Sequence, residues 1–280
     1  MPVVATNTAA NSALRFLNNN SAEAAASVGK LASGSRIVKA SDDAAGLAIG
    51  TRLMADVTSL TQAGINASQG ASVVQVADGG LGRIGDVLQR MKALAAQSLS
   101  GVPTNTERGF IDAEFAELQA EITDIATTTR FNGQSLLTGS AAAADYFVGT
   151  DVSDTITVNF GTLAAGTSDF RVGALGLSTS VVGVDTAASA VGAMSLIDTA
   201  IDTISEARAT SGALISRFEF RGQQIATSLE NIDAAKSAIM DVDLAAEQSK
   251  LVSNQVLVQA AVSAVSQANQ IPQSLLRVLQ

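Results

Sequence analysis

One register governs what this chain can become. Met194, Ile197, Ile201, Ile204, Ile215, Phe218, Ile225, Leu229, Ile232 and Ile239 recur three and four residues apart without a slip, and Arg208, Ser211, Gly222 and Lys236 fill the remaining places. An α-helix brings positions so spaced onto one narrow stripe, the seam of a coiled coil. A helix over 190–239 would be about 75 Å long at 1.5 Å per residue, whereas a globule of this chain length has a radius of gyration of about 19 Å. The spacing predicts an elongated molecule of long helices.

The same rhythm recurs elsewhere. Residues 1–33 carry it at Ala10, Leu14, Leu17, Ser21, Ala24, Val28 and Leu31. The stretch Ser33 to Ala40 interrupts it, and Ser41 followed by Asp42 and Asp43 is read as a cap that puts acid at the start of a second helix. That helix is expected over 43–100, with a later seam of Val74, Ala77, Leu81, Ile84, Leu88, Met91 and Ala95, and Gly101-Val102-Pro103 ends it. Thr104 and Glu107 read as a capping box for a third helix, 104–129, carrying Phe110, Phe115, Leu118, Ile122 and Ile125. Between 131 and 185 the pattern changes. There Thr155-Ile156-Thr157-Val158-Asn159-Phe160 alternates with period two between turn residues, as a hairpin strand does. A last amphipathic segment, 244–280, carries Leu251, Val258, Val262 and Val265.

The expected fold is therefore mainly α: an elongated, coiled-coil-like helical bundle with a small β-hairpin region in mid-chain. Its expected parts are terminal helices 1–33 and 244–280, linkers 34–42 and 240–243, and a rod, 43–239, of helices 43–100, 104–129 and 190–239 plus the hairpin region 131–185. A pair of terminal helices cannot cover both of its seams alone, so the missing partners are read as other copies of the chain.

Composition removes most chemistry. Among 280 residues there is no His, no Cys and no Trp. The commonest general base, the commonest zinc ligand and every thiolate nucleophile are thus absent. No catalytic residue, cofactor or metal site is assigned. A net charge of −9 repels phosphate backbones and anionic lipid, so nucleic acid is not an expected partner. Uninterrupted apolar runs fall short of the roughly 18 residues of a membrane span, and the opening residues lack the basic and apolar regions of a cleaved signal peptide.

Several motifs have a bland reading that outweighs the sharp one. Gly80-Leu81-Gly82-Arg83-Ile84-Gly85 spells G-x-G-x-x-G, but a dinucleotide site needs a second strand ending in an acid about 20 residues on, where Leu99 to Asn105 stand instead. Glycines that let a long helix pack closely are the preferred reading. Gly29-Lys30 lacks the rest of a phosphate loop, since Leu31 follows. Asp241, Asp243 and Glu247 lack the glycine and terminal glutamate of a calcium loop, and read as a solvated joint. Glu114, Glu117, Glu121 and Asp124 read as an exposed helix face, and the sequons at Asn19 and Asn66 fall on helices.

The chain ends resemble those of bacterial flagellin. The likeness is carried by Ser33 to Ile49 (SGSRIVKASDDAAGLAI), Leu88 to Ser98, Arg130 to Leu137 (RFNGQSLL) and Gln267 to Leu276 (QANQIPQSLL). It implies a structural, non-enzymatic subunit that polymerises into the flagellar filament for swimming motility, in a short form without the variable outer domain, since Thr179 to Thr186 leave no room for one. The resemblance further implies an extracellular location and export through the flagellar type III apparatus without a cleaved signal peptide. Implied partners are other copies of the chain, an export chaperone on the C-terminal segment, and filament cap and hook–filament junction proteins. Filament-core packing is assigned to Leu14, Leu17, Val28, Leu31, Leu251, Val258, Val262, Val265, Leu275 and Leu276. The rod seam is assigned to Leu81, Ile84, Leu88, Met91, Ile201, Ile225, Leu229 and Ile232. Residues resembling the surface read by Toll-like receptor 5 are Leu88, Gln89, Arg90, Leu94, Gln97 and Glu114, with Ala93 where a glutamate is usual. The alternative is a hook–filament junction protein, which shares the terminal helices. A chemoreceptor-like coiled coil would lack the strands midway.

Overall fold

The computed structural model describes residues 7–139, 143–164, 169–178 and 182–278, with the side chains of Thr162 and of 271–278 outside the description. Five helices dominate: α1 (Thr8–Ser33), α2 (Ala44–Leu99), α3 (Asn105–Thr128), α4 (Ala187–Met240) and α5 (Leu244–Val278). Between α3 and α4 lie two antiparallel hairpins, β1 (Arg130–Phe131) with β2 (Gln134–Ser135) and β3 (Ala144–Phe147) with β4 (Thr155–Val158). The mainly α architecture with a small mid-chain β region is the one expected. The chain forms two compact units, 1–57 with 230–280, and 58–229.

Helix boundaries follow local chemistry. The capping box of α3 is complete: Thr104 Oγ1 accepts from the Glu107 amide while the Glu107 carboxylate accepts from the Thr104 amide. The Thr104 amide and, secondarily, the Thr104 hydroxyl donate to the Glu107 carboxyl and hold it below its ordinary pKa. The cap of α2 is Asp43 rather than Ser41, because Asp43 Oδ1 accepts from the Gly46 amide at 2.9 Å. Asp42 instead receives the Lys39 and Val38 amides, which lower its pKa, and so shapes the loop before the helix. The β1–β2 hairpin turns through Asn132 and Gly133, both left-handed (φ 49° and 79°), as a two-residue primed turn requires.

Within the unit 58–229, α2 is the central element. One face meets α4 through the pairs Lys92 with Asp198, Gly85 with Ile204, Asp78 with Arg208, Gly70 with Phe218 and Gly64 with Ile225. As one residue number falls the other rises nearly equally, which is an antiparallel pair without slippage. Glycine is needed at one of these approaches and at one on another face of α2, toward the end of α3 and the first hairpin. A Cβ on Gly70 would lie 2.5 Å from the Phe218 ring, and one on Gly80 would lie 2.6 Å from Thr129 Oγ1 and 2.9 Å from Leu137. The G-x-G-x-x-G run is thus mid-helix packing, as preferred above. By length and composition alone α4 could also cross a bilayer, but here Ala193, Ile197, Ala200, Ile204 and Ala207 are buried within the unit.

The seam of α4 departs from the expected one in detail. Ile197, Ile204, Phe218 and Ile225 are buried, and Ser211 joins them, its hydroxyl without a partner among the described residues. In the N-terminal half, however, Ala193, Ala200 and Ala207 occupy the second row, while Ile201 is half-buried and Arg208 is exposed. A helix of 3.6 residues per turn sets the i+3 and i+4 rows on either side of the stripe, and the close approach to α2 selects the smaller. Phe110, expected in the α3 seam, is 73% exposed, and Gln119 is buried instead. Its Nε2 donates to the Leu177 and Val182 carbonyls, pinning the loop before α4. Asp112 accepts from the Val184 amide and Ser98 Oγ donates to the Val184 carbonyl nearby. Under this loop Leu137, Leu163, Phe170 and Leu177 fill the core.

Candidate functional site

The unit 1–57 with 230–280 has a distinctive surface, built from α1 and α5 lying antiparallel. Asn7 ties the open end: its Oδ1 caps α1 through the Ala10 amide, and its Nδ2 donates to the Ala268 carbonyl at 2.8 Å. At the other end Gly34, left-handed at φ 69°, stops α1 where a side chain would be strained. There Ser35 bridges Asp241, the Arg36 amide donates to Met240 O, and the Val242 amide donates to Gly34 O. Asp243 then caps α5 through the Ala245 and Ala246 amides, and Asp241 accepts from Ser237 Oγ. These carboxylates serve the chain turn. Among the described residues no three acidic groups converge as metal ligands.

The face between α1 and α5 is lined by small side chains. On α1 it is made by Ala10, Ala13, Leu17, Asn20, Ala24, Ser27 and Leu31; on α5 by Glu247, Leu251, Asn254, Val258, Ala261, Val265 and Ala268. Leu17, Leu31, Leu251, Val258 and Val265, all expected to pack, lie on it. Leu14 and Val28 do not: they are 47% and 50% exposed, and Ala13 and Ser27, one residue earlier, take the inner places. Val262 is 53% exposed. The side chains of Leu275 and Leu276 lie outside the described residues.

Large apolar groups consequently crowd the outer faces. Leu14, Phe16 and Val28 of α1 and Leu244, Val252, Val256, Leu257 and Val262 of α5 are all 46–60% exposed. Scattered exposed apolar residues are ordinary, but rows of them on neighbouring helices mark an interaction surface. Hydrophobicity alone did not separate inner from outer rows, because both are apolar.

Of the expected rod seam, Leu81, Ile84, Leu88 and Met91 are wholly buried and Ile225 nearly so; Ile201 and Leu229 are half-buried, and Ile232, also half-buried, belongs to the other unit. Of the residues resembling a receptor surface, Leu88 and Leu94 point into the core, leaving Gln89, Arg90, Gln97 and Glu114 outside. Arg90 Nε and Nη2 both donate to Glu114 Oε1, at 3.0 and 2.6 Å, tying α2 to α3. The sequon residue Asn66 donates its amide to the Phe147 carbonyl, so that nitrogen is engaged in the fold.

Residues 4–142 match the bacterial flagellin N-terminal helical region, and residues 194–279 match the bacterial flagellin C-terminal helical region. A flagellar filament 33 kDa core protein of Treponema phagedenis is 35% identical over 98% of each chain. A flagellin of Listeria monocytogenes is 36% identical over 89% of this chain and 90% of its own. The crystal structure of Bacillus cereus flagellin superposes with a TM-score of 0.50 at 27% identity, covering 61% of this chain and 94% of that one. A putative flagellar hook-associated protein from Vibrio parahaemolyticus shares the fold alone, with a TM-score of 0.56 at 14% identity over 71% of this chain and all of that one. Near-full-length likeness to filament proteins favours the filament over the hook junction: the chain belongs to the bacterial flagellins, and is a structural subunit that polymerises into the extracellular flagellar filament of swimming cells.

Proposed function

We propose that the outer faces of α1 and α5 are the surfaces by which each subunit packs among its copies, so that terminal helix pairs build the inner tube of the filament. The observation that carries this is the set of eight large apolar side chains left 46–60% exposed on those two helices. Each square ångström of apolar surface removed from water contributes roughly 25 cal/mol, so contacts made by many copies accumulate a large stabilisation. Because the exposed rows of α1 and α5 differ, one copy's row meets another's unlike row, and such heterologous contacts extend without closing. Leu14, Val28 and Val262 then act between subunits, while Leu17, Leu31, Leu251, Val258 and Val265 hold the pair that presents them. Leu275 and Leu276 belong to the same inner layer, and the seam of 58–229 serves only to keep the rod rigid. The role is structural, with no catalytic step.

The same exposed rows call for cover before assembly, which fits export through the flagellar type III apparatus with a chaperone on the C-terminal segment. Growth proceeds under a cap protein from a hook–filament junction. Gln89, Arg90, Gln97 and Glu114 supply the polar part of a face for Toll-like receptor 5.

Removing residues 261–280 tests the central claim. The shortened protein should stay soluble and helical by circular dichroism yet form no filaments on seeds in negative stain, and cells carrying only that version should not swim. Filaments of normal length would refute it.

A further inference from the structure

In a chain of net charge −9, two arginines stand together beside the second hairpin. A groove of about 290 Å³ between β4 and α4 is lined by Thr155, Ile156, Arg217, Phe220, Arg221 and Gln224. Arg217 is exposed and makes no ion pair or side-chain hydrogen bond among the described residues; Arg221 donates to Gln224 Oε1 at 3.1 Å and lies 3.8 Å from Asp154, contacts that leave it further donors. Phe220 between them is 72% exposed. On α3, Glu117, Glu121 and Asp124 form one stripe of exposed carboxylates, none in an ion pair among the described residues, and Phe110 continues it at 73% exposure. The spacing matches: Arg217 and Arg221 are one turn apart, as are Glu117 and Glu121, about 6 Å along either helix axis.

Resting on the filament reading, we propose that a second copy of this chain lays its α3 stripe along the β4–α4 groove, so that two arginines of one copy meet two glutamates of the next. Isolated exposed ion pairs contribute little. Here the guanidinium groups flank an exposed aromatic ring, and covering that ring removes water from the pairs, which strengthens charge-assisted hydrogen bonds. The two surfaces are different faces of the same unit, 58–229. Their contact is therefore heterologous and repeats from copy to copy, independently of the terminal helices.

Charge exchange tests it. In the full-length chain, Arg217→Glu with Arg221→Glu, or Glu117→Arg with Glu121→Arg, should raise the protein concentration needed for seeded polymerisation by about tenfold or more, because like charges then face each other. The fourfold variant should return to within about twofold of wild type. Thermal melts of the α3 reversal should match wild type, since Glu117 and Glu121 are exposed, and the arginine reversal should lower the melt only slightly, since Arg217 is exposed and Arg221 is half-buried beside Asp154. The chain has no cysteine, so a mixture of Arg217→Cys and Glu121→Cys subunits should give disulfide-linked pairs on oxidation of assembled filaments, and this carries the test even if a charge variant misfolds. Normal assembly of either reversal, or a fourfold variant as defective as its parents, would overturn the contact. So would Arg217→Cys subunits that link to one another as readily as in the mixture, which would make the groove a symmetric interface. Wild-type protein that forms no filaments would sink the filament reading instead, and this contact with it.

Discussion

Gly70 and Phe218 form a lock whose strength can be worked out from its geometry. The Phe218 ring is 1% exposed, packs edge-on to Tyr146 with centroids 5.5 Å apart, and sits where a Cβ on Gly70 would be, 2.5 Å from two ring carbons. Carbon atoms rest at about 3.5–4.0 Å, so Gly70→Ala forces a shift of at least ~1 Å on a ring held by the hairpin on its other side. Overpacking of that kind costs about 1–3 kcal/mol, while alanine in mid-helix is favoured over glycine by about 1 kcal/mol. The net expectation is a destabilisation of about 0–2 kcal/mol. In a Phe218→Ala background, itself about 3–5 kcal/mol less stable, the obstacle is gone and only the helix preference remains. Gly70→Ala should then stabilise by about 1 kcal/mol. Urea denaturation followed by ellipticity at four corners of this double-mutant cycle should give a coupling of about 1–3 kcal/mol. If Gly70→Ala changes stability with the same sign and size in both backgrounds, the close approach is not what places glycine there.

Two further outcomes follow from neighbouring observations. Leu88→Asp puts an unpaired carboxylate where the side chain is wholly buried and should cost several kcal/mol in a thermal melt. Gln89→Asp, one residue on and exposed, should stay within about 0.5 kcal/mol of wild type; equal effects would mean the α2 seam is misassigned. The carboxyls of Glu107 and Asp42 both titrate lower in the folded chain than in the unfolded one, held by amide hydrogen bonds. Their contribution is therefore complete above the ordinary carboxylate range and is lost as pH falls through the depressed values. Amide exchange at Thr104, Val38 and Lys39, the amides those carboxylates hold, should accelerate on acidification in that window beyond its intrinsic pH dependence, and Glu107→Gln should abolish the extra change at Thr104 alone.

The fold class was open to reading from periodicity because the two periods are so distinct here. A spacing of three and four runs for whole helices, and period two appears in the one stretch that becomes β4, where Ile156 and Val158 turn inward. Local chemistry was equally legible at Thr104 and Glu107, since a capping box is complete within four residues. Less legible was which of Ser41, Asp42 and Asp43 caps α2, because all three can accept an amide and only the path of the preceding loop decides.

What the amino-acid order determined by itself is thus the features whose partners lie within a turn or two of chain: the approximate helix lengths, the capping box of Thr104 and Glu107, the period-two strand, and the absence of the side chains that catalysis most often uses. Tertiary structure decided the rest. It turned Leu14 and Val28 outward and Ala13 and Ser27 inward, chose Ala200 and Ala207 over Ile201 and Arg208, buried Gln119 and exposed Phe110. The α1 and α4 choices lie between rows one residue apart on the same helix, which differ by about 100° of rotation. In each of those pairs the smaller residue faces the neighbouring helix, at a separation that leaves little room for the larger. That distance is set by residues far away in sequence, such as the glycines of α2 and the interlock of Gly34 with Val242. The large apolar side chains displaced from the inner face are left exposed, and these are the ones proposed above for contact between subunits.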